Sequence, residues 1–172
     1  MSAIRFRGLS MDDVPFIAVW YNNRHLVEQM SLDYFKPMPE ALYEETITQW
    51  VTDDRRVVWM IEYEGGPAGL LMIKHIDHRN QSCSLGCLVA PDIWGYGIGP
   101  KALQYGLAFG FDELNMNRVH FETSAENTRI QRIADRLGFL LEGVRRQAFF
   151  RNGKFLDILE YAILRAEYRL GR

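Results

Sequence analysis

Between residues 82 and 90 the chain alternates: Cys83, Leu85, Cys87 and Val89 stand against smaller or polar neighbours, the two-residue period of a half-buried strand. Further on, Leu103, Leu107, Phe111 and Leu114 recur at helical spacing, with Pro100 expected at the first helical position because it has no N–H to leave unpaired. The same two periods divide the rest of the chain. A strand is expected over 3–9, then a helix capped by Ser10 with Asp13 three residues on and an apolar stripe of Val14, Ile17, Ala18 and Tyr21. A second helix over 39–52 would bury Leu42, Ile47, Trp50 and Val51. Strands at 57–63 and 68–75 flank Glu64-Gly65-Gly66-Pro67, a hairpin signal. After a strand at 118–123, residues 124–139 read as a helix with Ile130, Ile133, Ala134 and Leu137 inward and Gly138 as a left-handed cap. Strands at 143–150 and 155–164 close the chain around Asn152-Gly153. The order βααβββαβαββ predicts an α/β (α+β) protein.

Between the alternating strand and the helix lie glycines at 95, 97 and 99. Glycines let the backbone approach a bound group closely, and the free N–H groups of a helix start carry partial positive charge, so this unit reads as a phosphate site. Two phosphate-binding architectures could use it. A dinucleotide fold wants the glycines at the tip of an early strand and an acidic residue about twenty positions on, which Glu122 nearly supplies. Against it, Pro91, Asp92, Ile93 and Trp94 intervene between strand and glycines, and too little chain follows for a doubly wound sheet. A dinucleotide-binding oxidoreductase is therefore the remote alternative.

Composition narrows the partners. With 172 residues, 48% hydrophobic and 13% aromatic, the chain can bury a full core in a single domain over 1–172. A net charge of -2 argues against sequence-independent nucleic-acid binding, which needs a basic face. No secretory leader is read at 1–19 and no apolar run reaches the ~18 residues of a membrane span, so a cytoplasmic location away from membranes is expected. Cys83 and Cys87 sit four apart on one strand, roughly 13 Å at strand rise, too far for a disulfide; core thiols are expected. His75 and His78 straddle a strand end without an acidic or cysteine cluster, so no metal site is expected.

Trp94-Gly95-Tyr96-Gly97-Ile98-Gly99, preceded by Pro91, resembles the pyrophosphate loop of the GCN5-related N-acetyltransferases (GNAT). Asn127, Leu137-Gly138-Phe139, Glu142-Gly143, Asn152-Gly153 and Asp157 continue the pattern of the branch holding ribosomal-protein alanine and spermidine N-acetyltransferases. The resemblance covers nearly the whole chain. It implies a mixed, mostly antiparallel sheet of about seven strands with about four helices, splayed between strands 4 and 5, and a capacity to form a homodimer. It implies acetyl-CoA as co-substrate, no metal, and acetyl transfer to a primary amine of a small molecule (polyamine, amino sugar or amino acid) or of a peptide N-terminus. Coenzyme A would be held by backbone near Cys87, Leu88 and Val89, by Gly95, Tyr96, Gly97, Ile98, Gly99, Pro100 and Lys101, and by Asn127 on its amide arm. The backbone N–H of Leu88 would stabilise the oxyanion of a tetrahedral intermediate. Glu28 and Asp33 fall in the segment that shapes the acceptor site, among further carboxylates at Glu40, Glu44 and Glu45 that could equally be a solvated face.

The chain departs from its relatives where acid and base stand. Ala134 occupies the position of the family's general-acid tyrosine, Ile130 and Phe149 those of a serine and an acidic residue of the ribosomal branch, and Ser84 that of a fourth-strand glutamate. An amine with the ~10.4 pKa of a lysine is about one part in a thousand neutral at pH 7, so a base matters more than an acid. Candidates are Asp157, Glu122, His120, His75 and Glu28, each with a structural alternative as a packed or paired group. Cys87 has no neighbouring histidine to make it a nucleophile, and the tryptophans at 20, 50, 59 and 94 are expected in the core. The rival reading is a non-catalytic acyl-CoA-binding protein of the same fold.

Overall fold

A computed structural model describes residues 4–170 of the chain, with side chains through Tyr168; Ala3, expected in the first strand, lies outside them. The strands are β1 (Ile4–Gly8), β2 (Val57–Tyr63), β3 (Gly66–Asp77), β4 (Ser82–Val89), β5 (Arg118–Ser124), β6 (Leu140–Arg151) and β7 (Lys154–Leu164). They form one sheet in the order β1-β2-β3-β4-β5-β7-β6, antiparallel throughout except for parallel β4 and β5. The helices are α1 (Val14–Tyr21), α2 (Arg24–Met30), α3 (Ala41–Thr52), α4 (Ile98–Ala108), α5 (Thr128–Leu137) and α6 (Arg165–Leu170). None is long and apolar enough to cross a membrane.

Strand alternation gives the sheet two buried faces. Trp59, Ile61, Leu71, Ile73, Leu85 and Val119 point to the face covered by α4 and α5. Val58, Met60, Leu70, Met72 and Leu88 point to the face covered by α1 to α3. The two glycine hairpins form as the sequence requires. Tyr63 pairs with Gly66, so the first turn is the two residues Glu64 and Gly65, both at positive φ (52° and 86°), the type I′ geometry that matches strand twist.

Several expectations shift in detail. Two short helices, α2 and α6, join the four read from periodicity. Ser10 and Asp13 do form a capping pair, with the Ser10 N–H donating to the Asp13 carboxylate at 2.8 Å, but around a 3-10 turn (Met11–Asp13) that precedes α1. Asp13 is buried and also takes two 2.8 Å hydrogen bonds from Arg7 of β1. In α3 the inward residues are Tyr43 and Ile47, while Leu42 and Val51 are exposed. Leu42 falls one residue off the Tyr43–Ile47 stripe, whereas Val51 continues its i, i+4 spacing but stands exposed in the last turn of the helix. In α1 the buried aromatic is Trp20, with Tyr21 half-buried.

β4 and β5 pair only from Ser82 to Ser84 against Arg118 to His120. Past that point β4 continues along β3 to Val89 and β5 continues along β7 to Ser124. Each strand keeps one partner and releases the other, so the sheet opens into a V there.

Candidate active site

The V is lined by apolar side chains from four directions: Leu26 and Met30 of α2, Val89 of β4, Leu103 of α4, and Ile130 and Ile133 of α5. Together they line a cleft that opens to solvent. Gln29, Asn127 and Arg129 add its polar groups.

The backbone of β4 decides what this cleft can bond. The Ala90 N–H donates to the Ala68 carbonyl at 2.9 Å, and Leu88 pairs with Leu70 two residues earlier. In an antiparallel ladder the bonding direction alternates, so Leu88 turns its N–H and C=O toward β3. Cys87 and Val89 turn theirs into the cleft. The oxyanion donor assigned to Leu88 is thus committed to the sheet, and the open amides belong to its two neighbours. One cleft-facing group already has a partner: the Trp94 indole N–H donates to the Val89 carbonyl at 2.7 Å. Trp94 is accordingly a lining residue of the cleft rather than core like Trp20 and Trp59.

At the mouth, Gly95 and Gly97 adopt positive φ, 94° and 76°, and Gly97 caps α4 in the left-handed region. That cap starts the helix at Ile98, so Pro100 stands third rather than first, still inside the turn whose N–H groups have no intrahelical partner. The amides of Ile98 and Gly99 remain for an anion; Pro100 has none, and the Lys101 N–H bonds the Gly97 carbonyl at 3.4 Å. Gly99 borders the cleft, and two residues at 100° each carry Lys101 to the opposite side of the helix, beside Ile4, Phe6 and Tyr105. Tyr96 is exposed, its ring 5.8 Å from that of Tyr63. The cation at the cleft is instead Arg129, lying 5.0 Å over the Trp94 ring. Sequence reasoning missed it; its place two residues after the cap of α5 was the available signal. Asn127 fills the cap itself: its side-chain oxygen accepts from the Ile130 N–H at 3.3 Å and its amide donates to the Gln29 carbonyl at 2.8 Å, tying α5 to α2 across the cleft.

A second recess continues from the cleft through Gln29, Met30 and Asn127 to Glu28, Glu122 and Ser124. A third continues it through Glu28 and Arg151 to Asp33, Tyr34, Phe35 and Phe150. The second and third recesses share Glu28 and Arg151 and together form a trough beside α2. Its carboxylates are engaged. Glu28 pairs with Arg24 at 2.9 Å, and that hydrogen bond holds its carboxyl below the usual range. Glu122 pairs with Arg145, which also holds Glu160 at 2.8 Å. Asp33 accepts from the Ser31 hydroxyl at 2.9 Å. Arg151 donates to the carbonyls of Glu28 and Ser31 and lies 4.4 Å over Phe149.

The remaining candidates separate. Asp157 lies outside the trough and accepts the Gln147 N–H at 2.8 Å, where β6 bulges between Arg145 and Phe149. His120 is half-buried on β5, two residues before Glu122, with burial first and Arg118 second pushing its pKa down. His75 lies at positive φ in a bulge of β3, its Nδ1 3.1 Å from the Ser84 hydroxyl; burial, then Lys74, lowers its pKa too. Burial pushes the Cys87 thiol up to about 12, so at neutral pH it is no thiolate nucleophile. Among the described residues no group of three or more His, Cys, Asp or Glu side chains gathers as metal ligands.

Comparison with known proteins gives consistent matches. A family model described as an acetyltransferase (GNAT) domain matches residues 3–140. The spermidine N(1)-acetyltransferase of Escherichia coli (strain K12) is 23% identical over 168 residues, 96% of this chain and 88% of the relative. A putative ribosomal N-acetyltransferase of Bacillus subtilis is 29% identical over 106 residues, covering 62% of this chain and 58% of its own. The crystal structure of the spermidine N-acetyltransferase from Vibrio cholerae in complex with CoA and spermine superposes with a TM-score of 0.90 at 23% identity, over 96% of this chain and 98% of that one.

Proposed function

Because the chain belongs to the acetyltransferase (GNAT) family, we propose that it transfers the acetyl group of acetyl-CoA to a primary amine, with the pantetheine arm in the β4–β5 cleft and the amine in the trough. One observation carries this reading: the Cys87 and Val89 backbone opens into an apolar cleft whose mouth is a glycine-capped helix start. An extended amide-bearing arm finds backbone partners along such a strand edge, and a pyrophosphate finds the amides of Ile98 and Gly99 and the Arg129 guanidinium. The neutral amine attacks the thioester carbonyl carbon. The amide of Cys87 or Val89 faces the developing oxyanion, and the C–S bond then breaks to release CoA thiol. A thiol with an ordinary pKa of ~8.5 leaves with little help, which fits Ala134 in the cleft-side helix where relatives have a proton donor.

The trough favours a cationic acceptor. Exposed Tyr34 and Phe150 offer ring faces near Glu28 and Asp33, and an alkylammonium is attracted by both kinds of surface. Two of the matched relatives are named for spermidine, so polyamines head the list of acceptors, before amino sugars, amino acids and peptide N-termini. The test is release of CoA thiol from acetyl-CoA across that panel, with CoA affinity measured by calorimetry. Turnover with at least one amine is expected. Tight CoA binding with no turnover on any of them would replace this reading by the non-catalytic acyl-CoA binder.

A further inference from the structure

We propose that His120 is the general base of the transfer, taking the proton of the acceptor ammonium at the closed end of the V. The proposal rests on the transferase reading above and adds the residue that makes the amine nucleophilic. On β5, Val119 and Phe121 point into the core under α4 and α5, so His120 and Glu122 point to the other face, the one that carries the trough. Glu122 borders the trough directly. His120 stands two residues nearer the branch point, opposite Ser84 in the last β4–β5 pair and opposite Ala162 of β7. An imidazole there lies where the two strands part.

The other candidates are occupied or lie elsewhere. Glu28 and Glu122 hold arginines, Asp33 holds a hydroxyl, Asp157 holds a backbone amide outside the trough, and His75 stands exposed on β3, one strand beyond β4 from the V. The His120 side chain makes no hydrogen bond or ion pair among the described residues, so a ring nitrogen keeps its lone pair for a ligand. Burial most of all, then Arg118 on its own strand, disfavours its protonation; Glu122 opposes them, His75 on β3 adds to them, and Glu142 opposes them least. The ring is therefore neutral at pH 7, the form a base needs.

The protons balance without a further reactant. The ammonium gives one proton to the imidazole and its freed lone pair forms the N–C bond. The C–S electron pair leaves on sulfur, and the second amine proton converts that thiolate to CoA thiol. The imidazolium returns its proton to solvent.

The test uses the whole enzyme, acetyl-CoA and whichever amine of the panel it turns over fastest. In the parent, kcat/KM should fall on the acid side with a midpoint below pH 6.5, the ordinary value from which His120 is depressed. His120→Gln should lower kcat by about 10²-fold or more and erase that acid limb, with CoA affinity within about twofold of the parent. His120→Gly should regain activity on addition of free imidazole. A parent profile with no acid limb, or a His120→Gln enzyme that keeps more than half the parent kcat, overturns the assignment while leaving the transferase reading standing. A parent that releases no CoA thiol with any amine overturns both.

Discussion

Replacing Gly69 by alanine should damage the fold at the strand that supplies the cleft. A Cβ built there stands 2.1 Å from the Leu88 carbonyl oxygen and 3.0 Å from both the Leu88 carbonyl carbon and the Val89 Cα. All three are backbone atoms, so no side chain can swing aside. Relief requires β3 and β4 to part by about 1 Å beside the Leu70–Leu88 pair, at a φ of 155° that a side chain also disfavours. Overpacking typically costs 1–3 kcal/mol; with rigid backbone on the far side the upper end applies, about 3 kcal/mol, or roughly 6–12 °C of Tm for a chain of this size. The same separation moves Cys87 and Val89, so CoA affinity should fall with stability. Urea unfolding and calorimetry of CoA binding on Gly69→Ala check this. Gly66→Ala, in the same strand with open space around its Cβ, should stay within about 0.5 kcal/mol of the parent. A Gly69→Ala protein melting within 2 °C of that control (about 0.5–1 kcal/mol) would refute the close approach of the two strands.

The glycine loop separates conformation from access. Gly97→Val, at φ 76°, should strain the cap by about 1–2 kcal/mol and weaken CoA binding roughly 5- to 30-fold. Gly99→Ala places a Cβ at an ordinary 3.8 Å from Val89, so it should melt like the parent and lose CoA affinity only by narrowing the cleft; calorimetry and thermal melts on both variants distinguish the two effects. Asp157→Ala should cost about 1 kcal/mol by freeing the exposed Gln147 amide of the β6 bulge, with kcat for the best amine unchanged; a 10²-fold loss of kcat at parental stability would return Asp157 to the active site.

How much of this protein the chain announces depends on how local the cause is. Apolar patterning and turn signals located all seven strands and four of the six helices among the described residues, because the strands read as short apolar or alternating runs between turn residues and each long helix buries a stripe. Glu64-Gly65 and Asn152-Gly153 specified their turns, since positive φ is a property of those few residues. Gly95 and Gly97 likewise announced a positive-φ turn ahead of a helix start. Helices α2 and α6 were not legible: at seven and six residues they are too short to carry a periodic signal and are held by packing. The site was legible as loop and strand but not as contacts. Which β4 amides face the cleft is set by the pairing with β3, and Leu88 loses that role to Cys87 and Val89 through the Ala90–Ala68 bond. Lys101 yields to Arg129 for the same kind of reason, because the caps at Gly97 and Asn127 fix which side of α4 and of α5 each residue faces. Local backbone preferences and burial patterns belong to a few neighbouring residues and can be read in order along the chain. The direction of a hydrogen bond or a guanidinium is decided by residues far away in sequence, so only the folded sheet with its opened V determines it.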